Sequence, residues 1–453
     1  MGKQSQQAVL FKDLYDKPVS VEFTQPKQSS DGGVVLLDAI DKKLGLTARV
    51  VGALRDFRQA GKVIHGLEEL VRQRIFAIAC GYPDCDEAGR LRHDPAMKLV
   101  CRQRDHALAS QPTLSRFENS VRRTDLLRMG YALTDTVIQG ERRKRKPRKV
   151  RRITIDMDPT EDPTYGDQQL TFFSSFYDNW CYLPMITTIQ FDREQEQFLV
   201  APVLRPGNAP GSLGALGVLK RLVPRLRAAF PRAEIYVRMD GAFATPEVFA
   251  WLELHALHYV VNMARNSVLE AFAEPLLKRV RRMAKQSNAA ERELGEARYR
   301  ALKWDRPRRA IIKAEVVALE GRGLRDNPRF VITNLPWTPE RVYRFYTARG
   351  DMENRIKELH DGLRFDLTSC TSFLANQLRN LLTAAAYILF QQLRYEARRT
   401  DCAQAQVPTL RERLIKIGAR IVESVRRIWI GSPEACPWYA TWRQVALRLG
   451  AAP

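Results

Sequence analysis

The stretch Arg344–Leu363, RFYTARGDMENRIKELHDGL, constrains this chain more than any other part of it. Wound as a helix at roughly 100° per residue, it carries Tyr346, Arg349, Glu353, Lys357 and His360 within an arc of about 80°. A separate apolar stripe of Phe345, Met352, Ile356, Leu359 and Leu363 seats such a helix on a core and leaves the glutamate at the rim. Asp351, Arg355 and Glu358 project elsewhere. An ordinary solvated helix with a chance glutamate gives the same local pattern, so what the helix faces decides its meaning.

The 453 residues are enough for more than one core, and 45% hydrophobic with 27% charged is ordinary for a soluble globular protein. A net charge of +22 is not ordinary, and it suits a polyanionic partner, most commonly nucleic acid. A membrane surface is the rival. The longest apolar run, Leu381–Phe390, is however about half of a spanning length, and no basic amphipathic anchor follows it. The amino terminus shows no apolar signal region, and Gln6 stands where a myristoylation site needs Ser or Thr. The expectation is a soluble cytoplasmic protein. Cys80, Cys85, Cys101, Cys181, Cys370, Cys402 and Cys436 are odd in number and scattered, which excludes a disulfide framework or paired CxxC zinc ligands by spacing. Cys80, Cys85 and His93 form the one local cluster, and burial explains it without a fourth ligand.

Periodicity divides the chain. Residues 1–140 read as a polar arm followed by an Arg-rich helical accessory domain, and 141–152 as a basic linker within GERRKRKPRKVRR. Arg145, Lys146, Arg148 and Lys149 of that linker are candidate contacts to a nucleic-acid backbone. From residue 153 the alternation predicts three antiparallel strands, then helix, strand, helix and strand to about residue 264, a mixed α/β sheet with helices on its faces. Residues 265–336 read as a β-rich insertion, 337–370 as the second part of the core, and 371–453 as a helical tail.

Three acids then stand out by topology: Asp158 closes the first strand, Asp240 closes the fourth, and Glu353 lies on the helix after the fifth. Residues at strand ends of an open sheet can converge. Three carboxylates at one point need cations, and hard oxygen ligands suit Mg²⁺ or Mn²⁺. Two such ions about 4 Å apart promote in-line displacement at a phosphodiester. Taken singly, Asp158 in Asp-Pro-Thr and Asp240 before Gly241 also read as turn residues. Asp156 shares a face with Asp158 and competes with it as the first acid.

Asp158-Pro159-Thr160, Asp240-Gly241-Ala242-Phe243 and Tyr346-x2-Arg349-x3-Glu353, in this order, resemble the DDE transposases of bacterial insertion sequences with a Tyr-x2-Arg-x3-Glu-x6-Lys signature. The likeness spans about residues 150–365, and SQPTLSRFEN resembles the accessory domain of such enzymes. It implies a ribonuclease H-like fold with a β-rich insertion before the third acid. It also implies Mg²⁺-dependent cleavage and strand transfer by Asp158, Asp240 and Glu353, with Asp-x-Thr favouring Asp158 over Asp156. Tyr346 and Arg349 would position phosphate or a displaced base. The signature lysine is His360 here, so phosphate binding would rest on Lys357, where relatives carry a DNA-contacting lysine, with His360 weaker or pH-dependent. The implied partners are double-stranded DNA, as terminal inverted repeats and target, and a second copy of the chain, at the bacterial nucleoid. Another metal nuclease on the same fold and a non-catalytic DNA-binding descendant remain alternatives.

Overall fold

The computed structural model describes residues 9–12, 16–22, 24–103, 105–319 and 323–452. Gln6 and the rest of the first eight residues lie outside them. Helical periodicity yields α1 (Val34–Leu44), α2 (Leu46–Ala53), α3 (Leu67–Cys80), α4 (Pro95–Val100), α5 (Gln111–Asn119) and α6 (Arg123–Lys144). Asp94 caps α4 by accepting from Met97 N, and Pro95 and Pro112 sit in the first turns of α4 and α5, where a missing N–H costs nothing.

The period changes at Arg152. Strands β1 (Arg152–Pro159), β2 (Met185–Phe191) and β3 (Phe198–Leu199) run antiparallel in sequence order. After α7 (Ala215–Ala229) come β4 (Glu234–Met239), α8 (Pro246–Leu254) and β5 (His258–Met263), with β4 parallel to both β1 and β5. The order β3-β2-β1-β4-β5 with these polarities is the ribonuclease H-like sheet. The insertion comprises α9 (Ser267–Ser287), β6 (Glu291–Tyr299), β7 (Arg308–Leu319), β8 (Gly323–Asp326) and β9 (Arg329–Thr333). It extends this sheet rather than forming a separate body, because β9 pairs with β5 on one side and β7 on the other. Phe330 and Ile332 are buried on one face of β9 and Val331 on the other, which an interior strand requires.

Two expectations fail. The Arg344–Leu363 segment is two helices, α10 (Pro339–Thr347) and α11 (Gly350–Leu363). At the junction Arg349 N bonds Tyr346 O at 2.9 Å and Met352 N bonds Arg349 O at 2.8 Å. That is three-residue spacing, beside a poor helix former in Gly350. The tail, in turn, is not helical throughout. Ala419–Glu423 and Ile428–Gly431 are strands, antiparallel to one another, and Ala419–Arg420 also pairs with Gln28–Ser29 of the amino-terminal arm. Ala419 and Ile421 turn inward and Arg420 outward, a period of two.

Helix α12 (Phe373–Glu396) is the centre of the molecule. It packs against α1, α3, α5, α6 and β3, so the run Leu381–Phe390 is core. Among the described residues no helix is long and apolar enough to cross a membrane. Ile153, Ile155, Met157, Val237 and Met239 join that core from one face of the sheet, while Tyr236, Val260, Ile311 and Val331 pack under Val342 and Phe345 of α10 on the other. All seven cysteines are free, with Cys80 and Cys85 buried.

A small sheet of Asp162–Pro163, Phe172–Ser174 and Asn179–Tyr182 interrupts the passage from β1 to β2. Asp162 is fully buried there and accepts from Thr368 Oγ1 at 3.0 Å; burial pushes its carboxyl up to about 8. The folded protein therefore binds a proton that the unfolded chain releases above pH 4, and this group's stabilisation fades as pH rises toward 8. Asp162→Asn is expected to remove that slope, worth on the order of a few kcal/mol at most. Thermal unfolding at pH 5 and 8.5 checks it: the wild type should lose more than the variant.

Candidate active site

Strand register builds the site. In the parallel β1–β4 pair Asp156 lies opposite Arg238 and Met157 opposite Met239. Continued by one residue, that register sets Asp158 beside Asp240, the residue just past the end of β4, at the ~5 Å spacing of adjacent strands. Their side chains share the face that carries α10.

One step back along the strands is a buried ion pair. Arg238 Nε and Nη2 each donate to Asp156 at 2.7 Å, and Gln197 Nε2 donates to the same carboxylate at 3.0 Å. Arg238 Nη1 donates to Phe345 O at 3.0 Å, tying the pair to the end of α10. Both oxygens of Asp156 are spent.

Asp158 stands at the strand end, where Arg349 donates to its two oxygens at 3.0 and 3.3 Å. Burial pushes this carboxyl up to about 7; Arg349 opposes the shift, while Asp240, Glu353 and Asp156 add to it by repulsion. Asp240 caps the turn Gly241–Phe243 by accepting from Gly241 N. Glu353 is exposed in the first turn of α11, where the helix dipole favours an anion. Buried Glu358 anchors that helix: it accepts from Tyr387 Oη and Val407 N, each at 2.8 Å, and pairs with Arg355 and Arg394. Tyr346 lies beside Arg349 and faces the charges of Asp240 and Asp158; burial raises its phenol.

The other predicted contacts divide. Lys357 is exposed one turn beyond Glu353, as are Lys146, Arg148 and Lys149 on the linker. Arg145 turns inward instead, 4.6 Å over Phe191, and pairs with Glu141 at 2.8 Å and with Glu194 at 2.6 Å. His360 stacks on Phe365 at 5.8 Å, and burial holds its pKa below the usual 6.5, so it is neutral at pH 7.

Two residues bordering the site were not foreseen. Tyr177, in the hairpin Phe172–Tyr182, feels the charges of Asp158 and Asp240, and its neighbours Phe173, Phe176 and Trp180 are exposed. The signal was present in FFSSFYDNW, an aromatic run around a turn. Arg205 is buried, with burial lowering it to about 10, and donates to Leu183 O at 2.7 Å and Gly211 O at 2.6 Å. It pins a loop so close to the Asp240 turn that a Cβ on Gly211 would meet Ala242 Cβ at 2.2 Å. A lone arginine in LRPGNAPG carries no periodic signal.

The donor set fits a hard divalent cation. Burial and mutual repulsion favour a proton on Asp158, and a cation held by several carboxylates would take its place. Acids on two neighbouring strand ends, with a third on a helix beyond an inserted β-segment, are the layout of a DDE-type domain. The chain belongs to the family described as transposase DDE domain group 1, whose model matches residues 11–453. Members of that family are transposases that generally use divalent metals. Among solved structures, the piggyBac transposase in its synaptic complex with hairpin DNA is similar with a TM-score of 0.41 at 8% identity, over 92% of this chain and 82% of that one. No curated protein matches the sequence.

The two neighbouring aspartates of β1 are separable by experiment. Asp156→Ala leaves Arg238 buried and unpaired and should cost about 3–5 kcal/mol of stability. Asp158→Asn, at the strand end, should leave the unfolding free energy within about 1 kcal/mol of wild type. Urea unfolding of both variants measures this.

Proposed function

We propose that the chain is the transposase of an insertion sequence, cleaving phosphodiester bonds at the element ends and joining the freed 3′-OH to target DNA. The observation that carries the reading is the convergence of Asp240 and Glu353 charge on Asp158, beside Arg349. Asp158, Asp240 and Glu353 would hold the metal. When bound, two ions, Mg²⁺ or Mn²⁺, would supply the Lewis acidity that activates the attacking oxygen and stabilises the leaving one.

The chain's own residues do the rest. Arg349 offers a guanidinium that can turn from Asp158 to a non-bridging phosphate oxygen, and Tyr346 borders the same space with a hydroxyl and a ring. Lys357, Lys146, Arg148 and Lys149 supply exposed charge for the DNA backbone, whereas Arg145 is committed to Glu141 and Glu194 and His360 is partly buried against Phe365. The exposed Phe173, Phe176 and Trp180 offer faces for unpaired bases. No Ser or Cys nucleophile is needed. Joining two ends in one complex calls for a homodimer on double-stranded DNA, namely the terminal inverted repeats and the target, in a bacterial cytoplasm.

In a cleavage and joining assay with labelled element ends, Asp158→Asn, Asp240→Asn and Glu353→Gln should each lose at least ~10²-fold in rate, as should wild type stripped of divalent metal. DNA binding should persist in the variants. Nicking of any duplex without joining would favour a general nuclease, and tight binding without cleavage a non-catalytic protein.

Binding should also weaken steeply with salt. Replacing Lys146, Arg148 and Lys149 together by Ala should reduce the slope of log K against log salt by about 2–3, at roughly 0.9 per phosphate contact. An unchanged slope would remove the linker from the interface.

A further inference from the structure

Away from the acid cluster, three potential ligands converge in the amino-terminal helical part. His65 immediately precedes the Gly66 cap of α3, Glu69 lies in the first turn of α3, and His106 comes from the loop joining α4 to α5. One ligand atom from each lies within 4.8 Å of the others. His65 Nδ1 is 2.7 Å from Glu69 Oε1, and the two imidazoles are 5.4 Å apart at 57°. Gln103 Nε2 sits among them, 2.9 Å from His106 Nε2 and 3.2 Å from Glu69 Oε2. Hydrogen bonds thus hold together lone pairs that a cation could hold instead. Arg72, one turn along α3, does not oppose such a cation strongly, because it is paired with Asp38 and Asp41.

The donor chemistry selects the ion. Two imidazoles and a carboxylate make up a borderline set suited to Zn²⁺, distinct from the all-oxygen set at the strand ends. Glu69 is only 8% exposed while His106 is exposed, which leaves the solvent side open for water as a fourth ligand. We propose that His65, Glu69 and His106 form a Zn²⁺-class site that fastens His106, ahead of α5, to the start of α3. Binding would displace the proton shared by His65 and Glu69 and turn the Gln103 amide aside. The far end of the loop is already fixed to α3, since Gln73 donates to Ala109 O at 2.9 Å and accepts from Ala109 N at 3.1 Å. A metal would add the second fixing point and set the approach to α5.

The test uses the untagged full-length chain, stripped of metal, titrated with Co²⁺ in excess Mg²⁺ so that the hard site is filled. One equivalent of Co²⁺ should bind with the intense visible absorption of a low-coordinate site, be displaced by Zn²⁺, and raise the melting temperature. His106→Gln, at an exposed position, should keep the far-UV circular dichroism and melting temperature of the metal-free protein. It should lose both the absorption band and the Zn²⁺-dependent rise, and His65→Asn should do the same. Gln103→Ala, which removes the competing amide, should retain the band. The proposal is overturned if wild type shows no band, if the band survives in both histidine variants, or if Gln103→Ala abolishes it as completely as His106→Gln.

Discussion

The pairing of Asp156 with Arg238 is the interaction on which the architecture of the site depends. Both groups are 1% exposed or less, so neither charge could be held there without the other. Desolvation of the pair is offset by two-point geometry, by the Gln197 amide and by the carbonyl of Phe345. The contact joins β1, β4 and the end of α10 in one knot. Two residues further along each strand stand Asp158 and Asp240, and four residues beyond Phe345 stands Arg349. A slip of one residue in the β1–β4 register would send an acid to the opposite face and separate the two.

The site itself opposes folding. Asp158 is buried within reach of the charges of Asp240, Glu353 and Asp156, and the cationic group bonded to it is Arg349. The break between α10 and α11 is part of how that is tolerated. Arg349 sits at the junction, where its guanidinium reaches back to Asp158, while Glu353 begins the next helix at its positive end. Stability comes from elsewhere, from α12 among the helices of both chain ends and from Glu358, which locks α11 onto α12. Rigid packing behind a repulsive cluster is what a cation-binding site needs, since the acids cannot relax away from one another.

Much of this was legible in the residues. Alternation marked β1, β4 and β5, and the change of period after the basic linker marked the start of the sheet. The three candidate acids are picked out in the sequence by their places after strands and on a helix, without knowledge of their separation. What escaped had no local signal. The Arg344–Leu363 stripe is continuous in projection, yet the helix breaks where Arg349 meets an acid nearly two hundred positions away. Ile421 and Val422 alternate over too short a run to outweigh the helical pattern around them, and the distant partner of their strand, Gln28–Ser29, pairs beside Ala419–Arg420. Arg145 looked like its neighbours in a basic tract until Glu194 and Phe191 came beside it.

Sequence alone determined the class of the fold, the positions of the acids and the basic character, because apolar periodicity and charge are properties of neighbouring residues. Tertiary structure decided which charges are free. Asp156 is consumed while Asp158 meets Arg349 at the rim, Asp162 holds a proton, His360 is neutral, and His65 meets His106. Each of these states depends on burial and on groups brought from distant segments, and the energy of a charge in a folded protein is set by those surroundings more than by its own side chain.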